Sequence, residues 1–437
     1  IAETDINGLA EARIAVGDYD NDGDADVASI GIGGGGIAVK ANIYQNNGVG
    51  KFTNIDANLE PAENGAISWV DIDGDEDLDL FLAGRDDLNQ VYATVFVNEQ
   101  GGFTAGEFGV AGVDNAASAW ADIDGDSDPD LALMGQDQNG DAVTKIYQNE
   151  ADTLIDMESN LQGAFDGTLE FGDYDNDGDP DLLLVGNMPD PDGVIPDAVT
   201  ILYRNKGDGT FEEVSASLEQ LDDVGRFADY DNDNDLDILI SGDRQTLLYK
   251  NEGGDSFAEV DADLPEFFDS FADWGDFDDD GDLDLILTGT DENGGRHTNL
   301  YQNDGNDSFT QINTGFSSYS EGYATWFDKD GDTDLDLMVM GGLSIDLYEN
   351  TRKEPDTITD LDDQSPEQPR SISLNDNYPN PFNPSTNITF DLSEPRAVSI
   401  TVFDILGRKV QTLVRNQQLQ AGQHTIRFNA EKLSSGV

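Results

Sequence analysis

Along residues 1–350 the apolar positions fall into short β-type runs rather than helical stripes. "LFLAG", "LALMG", "LLLVG", "LILTG" and "LMVMG" are apolar throughout and end in glycine. A second segment follows each run and ends in Tyr or Phe, one further residue and Asn: "IYQN", "VFVN", "IYQN", "LYRN", "LYKN", "LYQN" and "LYEN". Another segment opens at Phe52, Phe103, Leu154, Phe211, Phe257 and Phe309, and a single apolar slot (Val16, Trp69, Trp120, Phe171, Phe227, Trp274, Trp326) precedes each unit's polar stretch. With Gly, Asn and Asp turns between them, these make four short strands per unit.

The unit recurs seven times. Its polar stretch starts at Asp18, Asp71, Asp122, Asp173, Asp229, Asp276 and Asp328, at intervals of 53, 51, 51, 56, 47 and 52 residues. A period near 50 suits a four-stranded propeller blade and is too long for a helical hairpin. The expected fold is therefore all-β: a seven-bladed β-propeller over residues 1–350. Only six outer strands follow seven polar stretches. Residues 1–9, "IAETDINGL", resemble the outer-strand text "FTNIDANL" and are expected to complete blade seven, closing the ring and covering its edges.

Each polar stretch places aspartate at every second position over nine residues. The first loop carries Asp18, Asp20, Asp22, Asp24 and Asp26, and the second Asp71, Asp73, Asp75, Asp77 and Asp79. The third has Asp122, Asp124, Asp126, Asp128 and Asp130; the fourth has Asp173, Asp175, Asp177, Asp179 and Asp181. Asp229, Asp231, Asp233, Asp235 and Asp237 form the fifth, and Asp276, Asp278, Asp280, Asp282 and Asp284 the sixth. Asp328, Asp330, Asp332, Asp334 and Asp336 form the last. Five carboxylates so close repel one another unless a cation sits among them, and a hard ion with oxygen ligands and irregular geometry is calcium. Up to seven ions, one per blade, are expected. A solvated acidic surface is the bland alternative, and it leaves seven copies in one local context unexplained. An EF-hand is excluded, because position twelve is Ser29, Leu82, Leu133, Leu184, Ile240, Leu287 or Val339 and lies within a β-type run.

Loop, run and spacing together resemble FG-GAP (VCBS) repeats, the units of the integrin-α propeller. That resemblance implies calcium held by the side chains at loop positions one, three, five and nine and by the main-chain carbonyl of position seven. It also implies a glycine at position six, matched by Gly23, Gly178 and Gly281 and tolerated as Asn234. Glu76, Ser127 and Thr333 depart from it, with Gly74, Gly125 and Gly331 two residues earlier expected to relieve the bend. Lys329 adds a cation beside the seventh site. Loops two, three and seven are expected to bind more weakly.

Charge changes the picture at residue 350. Of 92 acidic and 21 basic residues, 81 and 12 lie in residues 1–350, against five and six in residues 374–437. The polar, Pro-bearing residues 351–373 read as a linker. Such acidity excludes nucleic acid as a partner, no apolar run is long enough for membrane insertion, and without cysteine bound metal is the available staple. In the last segment Asn380-Pro381-Phe382-Asn383-Pro384 is a turn-rich opening, Val398, Ile400 and Val402 alternate as a half-buried strand, and "ILGRKV" suggests a tight hairpin. "NYPNPFNPST", "FDILGRKV" and "LSSGV" resemble the sorting domain of type IX secretion systems. This implies a small Ig-like β-sandwich over 374–437, engagement of the type IX machinery, and a secreted or cell-surface protein. The copy is expected to be incomplete at its C-terminus, and a leader to be missing at the N-terminus.

The expected role is that of an adhesion or ligand-binding module for an extracellular protein or glycan, and not that of an enzyme. Its binding face is expected opposite the acidic loops, on "GIGGGGIAVKAN", "NMPDPDGVIPDAVT" and "TDENGGRHTN" and on Phe316, Tyr319 and Tyr323. Trp69, Trp120, Trp274 and Trp326 recur in register and read as core. The alternative is a calcium-dependent polysaccharide lyase, for which His297 beside Arg296 is the available base.

Overall fold

In each unit the apolar run is the second strand of a blade, buried from end to end because neighbouring blades cover both faces of its sheet. The computed structural model describes residues 6–34, 38–150, 153–190, 196–319, 322–350, 373–378, 385–392, 396–403, 409–420 and 422–429. The chain divides into two units, Ile1–Lys353 and Glu354–Val437. Strands Ala10–Gly17, Asp26–Gly33, Ala38–Gln45 and Thr53–Asn54 form blade one as an antiparallel meander. Five more four-stranded blades span 63–105, 114–156, 165–214, 224–260 and 268–312, and blade seven contributes three described strands over 323–348. Among the described residues there is no helix.

First strands line the centre, and that of blade seven packs against that of blade one, so the ring is closed. In blades one, two, three, four and six the first strand opens with a bulge, at Glu11, Asn64, Asn115, Asp166 and Asp269, each near φ 50°. The glycine ending the second strand answers that bulge. A Cβ on Gly84 would lie 2.8 Å from the Glu63 carbonyl.

The N-terminal segment does part of what was expected of it. Residues 1–5 lie outside the described residues, and residues 6–9 form no strand. Ile6 and Leu9 are buried with Phe327, Met338, Met340 and Leu347 of blade seven and Tyr44 and Phe52 of blade one. Asn7 N–H donates to the Tyr44 hydroxyl at 3.2 Å, the bond that Ala111, Gln162, Glu219 and Ser317 make to Tyr147, Tyr203, Tyr249 and Tyr348 of their own blades. The segment thus acts as the connection between blades seven and one.

In the second unit, strands Ser373–Tyr378, Ser385–Leu392 and Gly422–Asn429 form one sheet, and Arg396–Phe403 pairs with Lys409–Leu419 in another. Phe390, Leu392 and Val398 are buried with Leu419 and Ile426 between them. The linker 351–372, the 380–384 opening, the hairpin turn at 404–408 and "LSSGV" lie outside the described residues.

Candidate metal centres and the opposite face

Every acidic string joins a blade's first and second strands, so all seven loops project from one face of the ring. Position six is left-handed throughout, with φ between 74° and 99°, whether it is Gly23, Glu76, Ser127, Gly178, Asn234, Gly281 or Thr333. Position four is left-handed as well, at Asn21, Gly74, Gly125, Asn176, Asn232, Asp279 and Gly331. Gly74, Gly125 and Gly331 therefore do not relieve position six, contrary to expectation. They stand where the other loops use Asn or Asp, and Glu76, Ser127 and Thr333 hold the strained φ themselves.

The alternating aspartates divide the work. Position one ties the loop: Asp18 accepts the N–H groups of Asp22 and Gly23 at 3.1 and 2.9 Å, and Asp71, Asp122, Asp173 and Asp276 do the same in their loops. Position nine is buried. In all seven loops its Oδ1 accepts the N–H of the third-strand Asn at 2.7–2.8 Å. In six, its Oδ2 accepts the N–H of position two. Burial, against the lowering effect of these N–H groups, pushes the carboxyls of Asp26, Asp181, Asp237 and Asp284 up to about 7 and those of Asp79 and Asp130 to about 6.

Position three points into the loop, with one oxygen held and the other not. Gln45 Nε2 donates to Asp20 Oδ2 at 2.5 Å, Arg204 Nε to Asp175 Oδ2 at 2.8 Å, and Gln148, Lys250 and Gln302 make the same bond to Asp124, Asp231 and Asp278. Oδ1 of Asp20, Asp124, Asp175, Asp231 and Asp330 is buried and accepts no hydrogen bond. Carboxylate oxygens of Asp18, Asp20 and Asp22 lie within 4.8 Å of one another, as do those of the first, third and ninth aspartates in loops two to five. Buried, unpaired carboxylate oxygens converging in this way fit a hard divalent cation. Position seven is different: Asp77, Asp235 and Asp282 accept the side-chain amides of Asn21, Asn176 and Asn232 of the preceding blade at 2.7–2.9 Å.

Two features escaped the sequence reading. The third-strand asparagines clasp neighbouring blades: their Nδ2 groups donate to the position-two carbonyl of the preceding blade at 2.7–2.9 Å in all seven cases. Their recurrence was the available signal. Second, the centre of the ring holds a cavity of about 410 Å³ lined by Glu11, Arg13, Asn64, Asn115, Asp166, Asp223, Arg226, Asp269 and Tyr323, among others. Seven residues before each loop the chain reads Glu11, Asn64, Asn115, Asp166, Asp222, Asp269 and Glu321, a polar column visible in the repeat; Glu321 lies outside the described residues. Deeper in, Arg226 pairs with Glu170 at 3.4 Å and lies 4.9 Å from the Phe271 ring centre. Burial pushes Glu170 and Asp223 up to about 7.

Elsewhere the expectations meet the structure directly. Trp69, Trp120, Trp274 and Trp326 pack in the cores between blades. The second-to-third-strand connections do lie opposite the acidic loops, and residues 35–37, 191–195 and 320–321 lie outside the described residues. Phe316 packs on Tyr348, and Tyr319 donates to Asp346 at 2.6 Å. His297 sits 2.9 Å from Asp291 and stacks on Phe267, with ring centres 5.1 Å apart.

These features define a β-propeller whose blades each carry an acidic loop. Residues 18–82, 173–240 and 229–287 match the FG-GAP-like repeat, and residues 376–437 match a secretion system C-terminal sorting domain. This sorting domain is of the type IX kind and marks a secreted or cell-surface protein. No curated protein matches the chain. Solved structures similar to it include an Agrocybe aegerita lectin that recognises non-reducing terminal N-acetylglucosamine (16% identity, TM-score 0.48, covering 77% of this chain and 87% of the lectin). A Bacillus licheniformis rhamnogalacturonan lyase (14%, 0.44, 78% and 71%) and the Aleuria aurantia lectin (13%, 0.38, 70% and 96%) are also similar.

Proposed function

We propose that this secreted propeller holds calcium in its acidic loops and uses the stabilised ring to present a ligand-binding face to an extracellular protein or glycan. One observation carries the metal reading: in five loops a position-three carboxylate oxygen is buried without a hydrogen-bond partner, and in four of these the aspartate carboxylates cluster within 4.8 Å. Leaving such groups without a partner is costly, and a bound cation removes the cost. Asp18, Asp20, Asp22 and Asp26, with the carbonyl of Asp24, would ligate in loop one, and the same positions in the other loops. Calcium would supply charge neutralisation and cross-bracing there. The aspartates themselves hold the loop backbone and join it to the third strand.

For the ligand we favour the face opposite the loops, around the mouth of the central cavity. Its polar side chains stand on a rigid, bulged strand ring, and the connections around it vary from blade to blade. A binding role is favoured over catalysis because His297, the one histidine of the propeller, is engaged by Asp291 and Phe267. The test is a screen of glycans and surface proteins with and without chelator, alongside a measurement of unsaturated product from uronic-acid polymers. Calcium-dependent capture without product supports the proposal, and product formation overturns it.

A further inference from the structure

In five loops the residue immediately before the clasp asparagine donates to the position-three aspartate, and its identity changes around the ring. It is Gln45, Gln148 and Gln302 at loops one, three and six, Arg204 and Lys250 at loops four and five, Val97 at loop two and Glu349 at loop seven. The three glutamines and the two cations all donate to the same carboxylate oxygen, Oδ2. Glu349 cannot donate as a carboxylate. Lys329, at position two of the same loop and only 4% exposed, takes its place. Its Nζ lies 2.8 Å from Asp330 Oδ2, 3.6 Å from Asp336 Oδ2 and 3.8 Å from Glu349.

The hydrogen bond is conserved in geometry across these loops, but the charge it brings is not. A glutamine amide orients the carboxylate and leaves its full negative charge for a bound ion. An ammonium or guanidinium spends part of that charge and repels a divalent cation nearby. Lys250 is the extreme case, touching Asp231 and lying 3.3 Å from Asp233, two aspartates of one loop. Arg204 is partly offset by Asp255, which it also contacts.

We infer that this position grades the loops into two affinity classes, tight at loops one, three and six and weak at loops four, five and seven, where the protein supplies its own cation. The grading rests on the calcium reading proposed above. It differs from the glycine-based expectation at loops four and five, and at loop three, where Ser127 adopts the same backbone as glycine does elsewhere. A unit charge about 5 Å from a divalent ion weakens binding by roughly tenfold even at the dielectric constant of water.

The experiment is calcium titration by calorimetry of the full-length chain, stripped with chelator, as wild type, Lys250→Gln and Gln148→Lys. Lys250→Gln is expected to move one site from the weak to the tight class, with affinity raised about tenfold or more. Gln148→Lys is expected to move one site the other way. Because the substitutions act in opposite directions, either one that folds decides the question. A purely structural role would shift the melting temperature equally with and without calcium and leave the class sizes unchanged. Calcium uptake with unchanged class sizes in the folded variants overturns the grading alone, and no uptake by any of the three overturns the grading together with the calcium reading.

Discussion

Asn46 Nδ2 donates to the main-chain carbonyl of Lys329 at 2.8 Å, joining blade one to blade seven across 283 residues of sequence. Asn46 is 2% exposed, and its own N–H donates to Asp26 Oδ1 at 2.7 Å. One asparagine therefore links the third strand of its blade, the ninth position of its own acidic loop and the second position of the neighbour's. Repeated seven times, this arrangement makes each loop part of the ring's seam.

Asn46→Ala strands the Lys329 carbonyl in a buried setting, and the expected loss is about 1–3 kcal/mol of unfolding free energy. Urea unfolding at fixed calcium reads it. Asn149→Ala, which breaks the equivalent bond to Ile72 inside the ring, should cost a similar amount. A change below about 0.5 kcal/mol, the size of an ordinary surface substitution, would mean the clasp does not stabilise closure.

Glu170 and Asp223 predict a pH dependence that adds to that of the buried position-nine aspartates. Burial raises both carboxyls to about 7 in the folded ring, above their ordinary values of 4.5 and 3.8. The folded state then binds their protons more tightly than the unfolded chain does. The stability they contribute is present below pH 4 and is lost as pH rises through 7. Melting in chelator from pH 4 to 8 should show this fall, and Glu170→Gln should make it shallower by one carboxyl's share. An unchanged slope in that variant would count against a Glu170 carboxyl raised by burial.

Thr333 holds a φ of 74°, a conformation in which a β-branched residue is strained. Thr333→Gly is expected to raise stability by roughly 0.5–1 kcal/mol, net of glycine's larger unfolded-state entropy. Gly281→Thr, the reverse change at φ 95°, should lower it by a comparable or larger amount. Thermal melts of the two variants check both signs.

His297 tests the choice between binder and enzyme. If its contacts with Asp291 and Phe267 are structural, His297→Ala leaves ligand capture within a factor of two. Asp166→Ala combined with Asp269→Ala, at the cavity mouth, should abolish capture while leaving bound metal unchanged. A lyase activity lost in His297→Ala would reverse the assignment.

The propeller was legible because its burial pattern is simple. A second strand covered on both faces must be apolar throughout, and a loop carrying five aspartates announces itself. What the aspartates do was only partly legible. Alternation alone does not separate their roles, yet Asp26 is mainly an acceptor for backbone N–H groups, Asp77 accepts from the preceding blade, and Asp20 offers the unpaired oxygen. Those distinctions arise from contacts between strands far apart in sequence. Glu76, Ser127 and Thr333 take the same left-handed turn at position six as the glycines do, which composition alone does not show. The polar column from Glu11 to Asp269 was in plain text but lay just outside the conspicuous loops.

The central claim is that divalent ions sit among these aspartates and hold the ring together. At 100 times its dissociation constant each site would add about 2.7 kcal/mol, against a typical net stability of about 5–15 kcal/mol. Metal counted per chain, together with thermal unfolding before and after chelation, tests this most directly. Several calcium ions per chain and a melting temperature lowered by well over 10 °C on chelation are the predicted result. A protein that carries no divalent ion and melts at one temperature with or without chelator would contradict it.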